Sequence, residues 1–344
     1  MKTLLRNVLR LLDVLLLPFT YLALLWLRVV RFAGLRRMPF SRGAFLRTGV
    51  FPIRDHFYEP QFHPRHLKRP FDDRDRELPG IDLDVDGQLE LLARFHYVDE
   101  LLAIARPPDG SHDGGLEAGN FGAGDSEFLY CVVRSFKPRR VYEIGSGNSS
   151  LVTLRALERN AAEDPARAGE LVCIDPHAPR RLDATRARVV RRKVEELGPA
   201  YFAELDRDDV LFIDSSHVIR PQGDVLFEFL ELLPVLRPGV LVHVHDIYTP
   251  RDYPEALLVE KSRFWNEQYL LEAFLSHNRD YRVIGALNHL WRRHFQRLAD
   301  CCPLLRVVPN AQPGSFWMVR ADVPAPARPA RLPDVVATGR AAAP

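Results

Sequence analysis

A glycine-rich turn after a short apolar run forms the first candidate ligand site. The run Arg140–Ile144 predicts a strand, and the turn Gly-Ser-Gly-Asn-Ser-Ser after it leads into a predicted helix. Gly145 and Gly147 allow the backbone to approach a ligand closely, and free N–H groups at the helix start favour a negative group. Glu143, two residues before the first glycine, suits an amine. The turn and its serine hydroxyls therefore favour a ligand that carries both an ammonium and a carboxylate.

A second predicted strand, Leu171–Asp175, ends in a carboxylate. Its two oxygens can accept both hydroxyls of a ribose, although an exposed Asp that caps a helix gives the same pattern. A dinucleotide is disfavoured because Ser150 occupies the sixth position of the G-x-G-x-x-G pattern. The alternative that the glycine-rich turn binds no ligand also stays open. If both signals report one ligand, it is a nucleoside that bears an amino acid, and S-adenosylmethionine is that molecule.

Two carboxylates and two imidazoles follow the fourth and fifth predicted strands. They are Asp214, His217, His245 and Asp246. The carboxyl ends of parallel strands meet at one edge, so these side chains would face the methyl group of such a ligand. Methyl transfer is an in-line displacement, so the acceptor must be aligned, and a hydroxyl acceptor must lose its proton.

Three interpretations of these side chains stay open. A histidine could act as a general base without a metal. The two carboxylates and two imidazoles could instead bind a softer divalent metal such as Mn2+ or Zn2+. The histidines could also be purely structural, and His243 is expected to be packed in the core.

Apolar runs and helical patterns alternate along the chain, which is typical of a parallel sheet covered on both faces. We predict an α/β, Rossmann-like fold with a seven-stranded, mostly parallel sheet, helices on both faces, and an N-terminal helical and extended extension. The last two strands, Tyr281–Ala286 and Ser315–Arg320, are expected to form an antiparallel edge. A helix is also predicted for Leu89–Ile104.

The order of these signals resembles the class I S-adenosylmethionine-dependent methyltransferases. The shared elements are Glu143-x-Gly-x-Gly, the strand-end Asp175, Glu195 after the third strand, Asp214 after the fourth, and a Pro-Gly turn into the fifth. Within that class, Phe212–Val218, Gly239–Ile247 and Trp265–Leu271 resemble a bacterial methyltransferase-domain subgroup related to the catechol and macrolide-sugar O-methyltransferases. In metal-dependent relatives, oxygen ligands at these two strand ends bind Mg2+, and the resemblance implies that Asp214 and Asp246 match two of them. The third ligand of those relatives is an Asn, where this chain has Ile247.

The resemblance implies roles for the matched positions. Glu143, Gly145, Ser146 and Gly147 would hold the methionyl part of S-adenosylmethionine, Asp175 the ribose, and Glu195 the adenine amino group. Ser149, a further predicted cofactor contact, stands where the class has a third glycine. The implied activity is methyl transfer to a hydroxyl of a small molecule or glycan. The alternatives are an NAD(P)-dependent oxidoreductase of Rossmann type and a non-catalytic, membrane-associated nucleoside-binding protein.

We predict four segments. Residues 1–48 form a basic, apolar N-terminal segment that could anchor the chain to a membrane, and residues 49–119 form an extended and helical connection. Residues 120–321 form the methyltransferase domain, and residues 322–344 form a disordered tail rich in Pro, Ala and Arg.

Basic residues are concentrated at the N-terminus. Residues 1–70 contain 13 Lys or Arg and 3 Asp or Glu, yet the net charge of all 344 residues is only +2, which argues against a nucleic-acid partner. The uncharged run Val14–Leu27 is shorter than the roughly 20 residues of a membrane span. Membrane-surface contact, a span, and packing against the domain or a second copy in a homo-oligomer all stay open.

We expect the chain to be cytoplasmic. Arginines are denser after the uncharged run than before it, so the chain beyond a spanning helix would also lie on the cytoplasmic side, attached to that face of the membrane. The four cysteines lack the spacing of a disulfide framework or a zinc site, which fits a reducing compartment.

Overall fold

The computed structural model describes residues 2–56, 58–69, 71, 74–105 and 121–322. The chain divides into two compact units: a smaller one of residues 1–72 with 255–264, and a larger one of residues 73–254 with 265–344. The predicted boundaries at residues 48, 119 and 321 stay predictions. Residues 106–120 and 323–344 lie outside the described residues, and with them part of the predicted connection and nearly all of the predicted tail.

Seven strands of the larger unit form one sheet. They are β1 (Arg140–Ile144), β2 (Glu170–Ile174), β3 (Arg188–Val190), β4 (Val210–Ile213), β5 (Leu241–Val244), β6 (Tyr281–Ala286) and β7 (Phe316–Arg320). Their order is β3-β2-β1-β4-β5-β7-β6, and β7 pairs antiparallel with β5 and β6, whereas the other pairs of these described strands are parallel. The predicted Rossmann-like sheet with its antiparallel edge is confirmed. The strand order reverses at β1, and ligands of such sheets bind at that point.

Helices flank the sheet and precede it. They are α1 (Lys2–Ala33), α2 (Pro39–Thr48), α3 (Val85–Leu92), α4 (Val98–Ala105), α5 (Asp125–Phe136), α6 (Asn148–Glu163), α7 (Asp224–Phe227), α8 (Glu267–Leu275), α9 (Leu287–Arg293) and α10 (Phe295–Cys301). Side chains of α5 and α6 belong to the core on one face of the sheet, and those of α7 and α8 to the core on the other. Successive strand residues alternate between the faces, as Val141 and Tyr142 do, so both faces are buried.

The single helix predicted for Leu89–Ile104 is wrong. Helix α3 ends at Leu92, and α4 begins only at Val98. Between them Phe95 is buried and packs edge-to-face on Phe128, with ring centroids 5.4 Å apart. The apolar spacing therefore continues through a turn, and its periodicity imitates one long helix.

The smaller unit contains α1 and α2. Helix α1 is one continuous helix whose apolar side chains are largely exposed, and its residues Leu4–Ala33 are long and apolar enough to cross a membrane. After α2, the described residues before α3 contain a single 3₁₀ turn, Pro64–His66, as the proline-rich sequence predicts.

Candidate active site

The glycine turn after β1 is pressed against the end of β4. Gly145 has a φ of +82°, and a Cβ at this position would lie 2.1 Å from the backbone oxygen of Asp214. The Gly145 N–H donates to Ile174 O (3.0 Å), and the Asp214 N–H donates to Ile144 O (2.9 Å). Only glycine satisfies both the left-handed backbone and the close approach, so this residue fixes how the ends of β1, β2 and β4 meet.

The turns after β1 and β2 are in direct contact. Ser146 Oγ donates a hydrogen bond of 2.8 Å to Asp175 Oδ2. The His177 N–H donates to Asp175 Oδ1 (2.7 Å), so both oxygens of this half-buried carboxylate are held in place. Each oxygen has a second lone pair for a further donor. The structure thus brings together the two turns that the sequence assigns to one ligand.

Gly147 lies beside open space at the start of α6. A Cβ built on Gly147 would meet no atom within 4 Å. The Gly147 N–H donates to Ser150 Oγ (3.0 Å), so the residue that breaks the dinucleotide pattern caps α6. The space above this backbone leaves room for a ligand to approach.

Glu143 is buried beneath the turn. Its carboxylate accepts hydrogen bonds from Ser149 Oγ (2.5 Å) and Cys173 Sγ (3.4 Å). Burial raises the pKa of Glu143 to about 7, against the lowering effect of these hydrogen bonds. Ser149, at the position of the third glycine, therefore holds Glu143. This carboxyl is half-protonated near neutral pH.

Glu195 lies in a 3₁₀ turn, Val194–Glu196, shortly after β3. It is half-buried, and no hydrogen bond or ion pair to its carboxylate occurs within the described part of the chain. Its assignment to the adenine amino group stays a prediction.

Three predicted catalytic residues converge at the ends of β4 and β5. His217 Nε2 lies 3.3 Å from Asp214 Oδ1 and 3.5 Å from Asp246 Oδ2. His217 and Asp246 have φ values of +60° and +55°, a left-handed backbone that costs non-glycine residues about 1 kcal/mol or more. Both carboxylates remain partly exposed, at 34% for Asp214 and 23% for Asp246. The imidazole edge thus joins two carboxylates that face solvent.

A fourth residue, Glu267, holds the other side of the same ring. Its Oε2 lies 2.8 Å from His217 Nδ1, and the side chain is fully buried at the first turn of α8. The Trp265 ring packs against the His217 ring, with centroids 4.5 Å apart. The sequence analysis did not assign Glu267 a role. The sequence signal that could have indicated Glu267 is its position in Trp265–Leu271, one of the segments that carry the resemblance to the methyltransferase-domain subgroup.

Electrostatics fix the charges of this group. Burial alone would raise the pKa of Asp214, but the positive charges of His245 and His217 outweigh it and hold that pKa at about 2. Burial alone would lower the pKa of His217, but hydrogen bonds to Asp214 and Glu267 raise it well above its usual value. The resting protein therefore holds an imidazolium among three carboxyl groups.

Comparison with known proteins bears directly on this arrangement. Residues 142–247, from β1 to just beyond β5, match the family model of a methyltransferase domain. Over this segment the chain is similar to that family. The match favours a methyltransferase over the oxidoreductase and the non-catalytic alternatives.

Two solved structures are similar to parts of this chain. An O-methyltransferase from Bacillus cereus in complex with SAH has 14% sequence identity and a TM-score of 0.34, covering 67% of this chain and 99% of that one. Cofactor-bound Rv0187 from MTB has 16% identity and a TM-score of 0.37, covering 69% of this chain and 96% of that one. No curated protein matches the chain significantly.

The two histidines of β5 and its end lie deeper than His217. His243 is fully buried, stacks on Phe212 with centroids 3.8 Å apart, and has a Nε2–Oγ distance of 3.0 Å to Ser315, in keeping with the expected packed role. His245 is also buried, and its Nδ1 has no hydrogen-bond partner among the described residues. Burial alone would lower the pKa of His245, but Asp214 and nearby carboxylates raise it. The catalytic role of His245 stays a prediction.

A divalent metal does not fit the candidate site as it is built. The His217 Nε2 atom lies between Asp214 and Asp246, within 3.3 Å and 3.5 Å of their carboxylate oxygens. No group of three or more His, Cys, Asp or Glu residues suited to a metal ion occurs among the described residues. The position where related enzymes supply a third ligand is Ile247, which is buried. The His217 ring therefore occupies the position between the two carboxylates that a divalent metal would take.

Proposed function

We propose that the chain is an S-adenosylmethionine-dependent methyltransferase that acts on a hydroxyl oxygen of a small molecule or glycan; the match of residues 142–247 to a methyltransferase domain supports the activity. The observation that carries the proposal is the position of His217, between Asp214 and Asp246 at the partly exposed rim and backed by buried Glu267. A hydroxyl that gains a methyl group must release its proton, so the site needs a proton acceptor that is fixed in orientation. An acceptor atom that carries no proton to lose, such as a thioether sulfur, would not need a proton acceptor beside it.

In this proposal His217 Nε2 takes the acceptor proton. Glu267 is a positioning residue that keeps Nδ1 protonated and orients the ring, and Asp214 and Asp246 stabilise the imidazolium formed. The same carboxylates make His217 a stronger base and keep it protonated in the resting protein. Neutral His217 is therefore scarce at low pH, and it becomes available as the pH rises.

We assign the cofactor contacts to the two joined turns. Gly145, Ser146 and Gly147 would hold the methionyl part, with Glu143 and Ser149 beneath the ammonium, and Asp175 would hold the ribose. The supporting observations are the Ser146–Asp175 hydrogen bond and the open space beside Gly147. Bound there, S-adenosylmethionine supplies an electrophilic methyl group on a sulfonium. Glu195 is the candidate for the adenine amino group.

Location and assembly are further proposals. The exposed apolar surface of α1 supports attachment to the cytoplasmic face of a membrane through residues 1–48. A homo-oligomer stays a prediction.

The test is an acceptor panel of phenols, sugars, amines and thiols incubated with the full chain and S-adenosylmethionine. We expect S-adenosylhomocysteine release only with hydroxyl acceptors, and mass spectrometry should place the methyl group on oxygen. His217→Asn should lower kcat at least about 100-fold on the best acceptor. The matched control is His96→Asn, an exposed histidine in the turn between α3 and α4, which should leave kcat unchanged. Methyl transfer to nitrogen or sulfur, or full activity of His217→Asn, would overturn the proposal.

A further inference from the structure

A groove of about 880 Å3 lies beside the C-terminal half of α1, and its lining residues all belong to the smaller unit. We call it the arginine groove after its four guanidinium groups, those of Arg28, Arg31, Arg54 and Arg65. The lining also includes the exposed apolar side chains of Leu25, Phe32 and Ile53. The size is that of a ligand site. A lining that combines guanidinium groups with exposed apolar side chains is complementary to an anionic amphiphile.

Carboxylates neutralise only part of the positive charge in the groove. Arg31 and Arg54 both reach Oε1 of the same residue, Glu59. Asp55 forms an ion pair with Arg65. Exposed Arg28 has no ion-pair partner among the described residues, and Arg31 Nε is buried without an acceptor there. Two carboxylates thus pair with three of the four guanidinium groups, and positive charge remains for an anion.

Helix α1 places the arginine groove at one end of a membrane-length segment. Residues 11–30 lie between Arg10 and Arg31, and twenty helical residues extend about 30 Å, the thickness of a bilayer core. The two charges inside this segment, Asp13 and Arg28, lie near its ends. Its central part carries no charge on any side of the helix. A helix that lies in the plane of the membrane surface would expose one of these uncharged sides to water, so the pattern favours a spanning helix. The groove is therefore at headgroup level if α1 spans the bilayer.

The charges around α1 define which leaflet is involved. Six arginines lie between residues 28 and 47, against three basic residues before the uncharged run. By the positive-inside rule the groove faces the cytoplasmic leaflet, whose anionic lipids attract basic segments.

We propose that the arginine groove binds the phosphate headgroup of an anionic phospholipid in that leaflet, while α1 crosses the bilayer. The guanidinium groups of Arg28 and Arg54 contact the phosphate. The acyl chains lie along exposed apolar side chains of the lining such as Phe32 and Ile53. This site is separate from methyl transfer, so the proposal does not depend on the methyl acceptor.

The experiment uses the full chain purified in detergent and titrated with dioctanoyl phosphatidylglycerol or dioctanoyl phosphatidylcholine, with bound lipid counted by native mass spectrometry. We expect at least tenfold tighter retention of phosphatidylglycerol. Each of Arg28→Gln and Arg54→Gln should weaken it roughly fivefold, since one basic contact to an anionic membrane surface is lost. In vesicle flotation, all variants should still float, because α1 is intact.

Arg42→Gln is the matched control, since Arg42 is exposed in the same unit but lies outside the groove. It should retain phosphatidylglycerol like the unaltered chain. Equal retention of the two lipids, equal losses in Arg42→Gln and Arg28→Gln, or displacement of the lipid by inorganic phosphate at a similar concentration would each overturn the proposal. A chain that fails to float and instead self-associates through α1 would overturn it as well.

Discussion

Ser146 Oγ and Asp175 Oδ2 are joined by a hydrogen bond of 2.8 Å, although 29 positions separate the two residues in the chain. This bond links the turn after β1 to the turn after β2, and both leave the same edge of the sheet. The His177 N–H holds the other carboxylate oxygen. Asp175 is therefore fixed before any ligand arrives, and little ordering entropy is lost when a ribose binds.

Asp175→Ala should weaken the binding of S-adenosylhomocysteine by well over tenfold. Two hydrogen bonds from ribose hydroxyls to a charged group are lost, each worth about 1.5–3 kcal/mol. Isothermal titration calorimetry measures the change. The control Ser146→Ala keeps the carboxylate and its backbone contact, so its affinity should fall only about threefold or less. Equal affinity of Asp175→Ala and the unaltered chain would mean that the ribose binds elsewhere.

The two glycines of the turn should respond differently to alanine. Gly145→Ala forces a Cβ to within 2.1 Å of Asp214 O at a φ of +82°, so we expect a loss of roughly 2–4 kcal/mol in the free energy of unfolding. Gly147→Ala meets no atom within 4 Å and should unfold like the unaltered chain, yet bind S-adenosylhomocysteine more weakly because its methyl group enters the ligand space. Urea denaturation and calorimetry separate the two effects. Similar unfolding curves for both variants would contradict this distinction.

Much of the sheet and the convergence of its polar strand ends follow from sequence. Apolar runs predict the strands, and parallel strands bring their carboxyl ends to one edge, so Asp214 and Asp246 had to lie near each other. Glu267 could not be placed in this way. It lies 50 residues after His217, beyond a segment that packs with the smaller unit, and only tertiary packing of α8 brings it to the ring.

The break between α3 and α4 shows a second limit. Periodicity reports which residues are buried, and Phe95 is buried, but it does not report that the chain turns there to reach Phe128. The bridging position of His217 was similarly hidden. Spacing placed His217 at the rim, but not between Asp214 and Asp246, which one of the three open interpretations assigned to a metal.

Binding of S-adenosylhomocysteine should release protons if Glu143 meets its ammonium. Burial raises the pKa of Glu143 to about 7, so about half of the free protein carries a proton there at pH 7. A nearby cation favours the carboxylate and lowers this pKa, so on the order of half a proton leaves on binding. Calorimetry at pH 7 in buffers of different ionisation enthalpy counts that proton. Glu143→Gln has no proton to lose and should abolish the release, and release that persists in this variant would place the linkage on another group.

The pH dependence of methyl transfer should report His217. The pKa of His217 is raised in the folded protein, so below it the neutral base is scarce and kcat/KM should rise about tenfold per pH unit, reaching a plateau above it. Glu267→Gln removes one negative charge beside the ring and lowers that pKa. The plateau should then begin at a lower pH and lie roughly tenfold lower, because the base is weaker and Nδ1 is held less firmly. The control is Glu231→Gln, an exposed glutamate whose profile should match the unaltered chain. If the rise of kcat/KM with pH in Glu267→Gln occurred at the same pH as in the unaltered chain, or at a higher pH, His217 would not be the group that takes the proton.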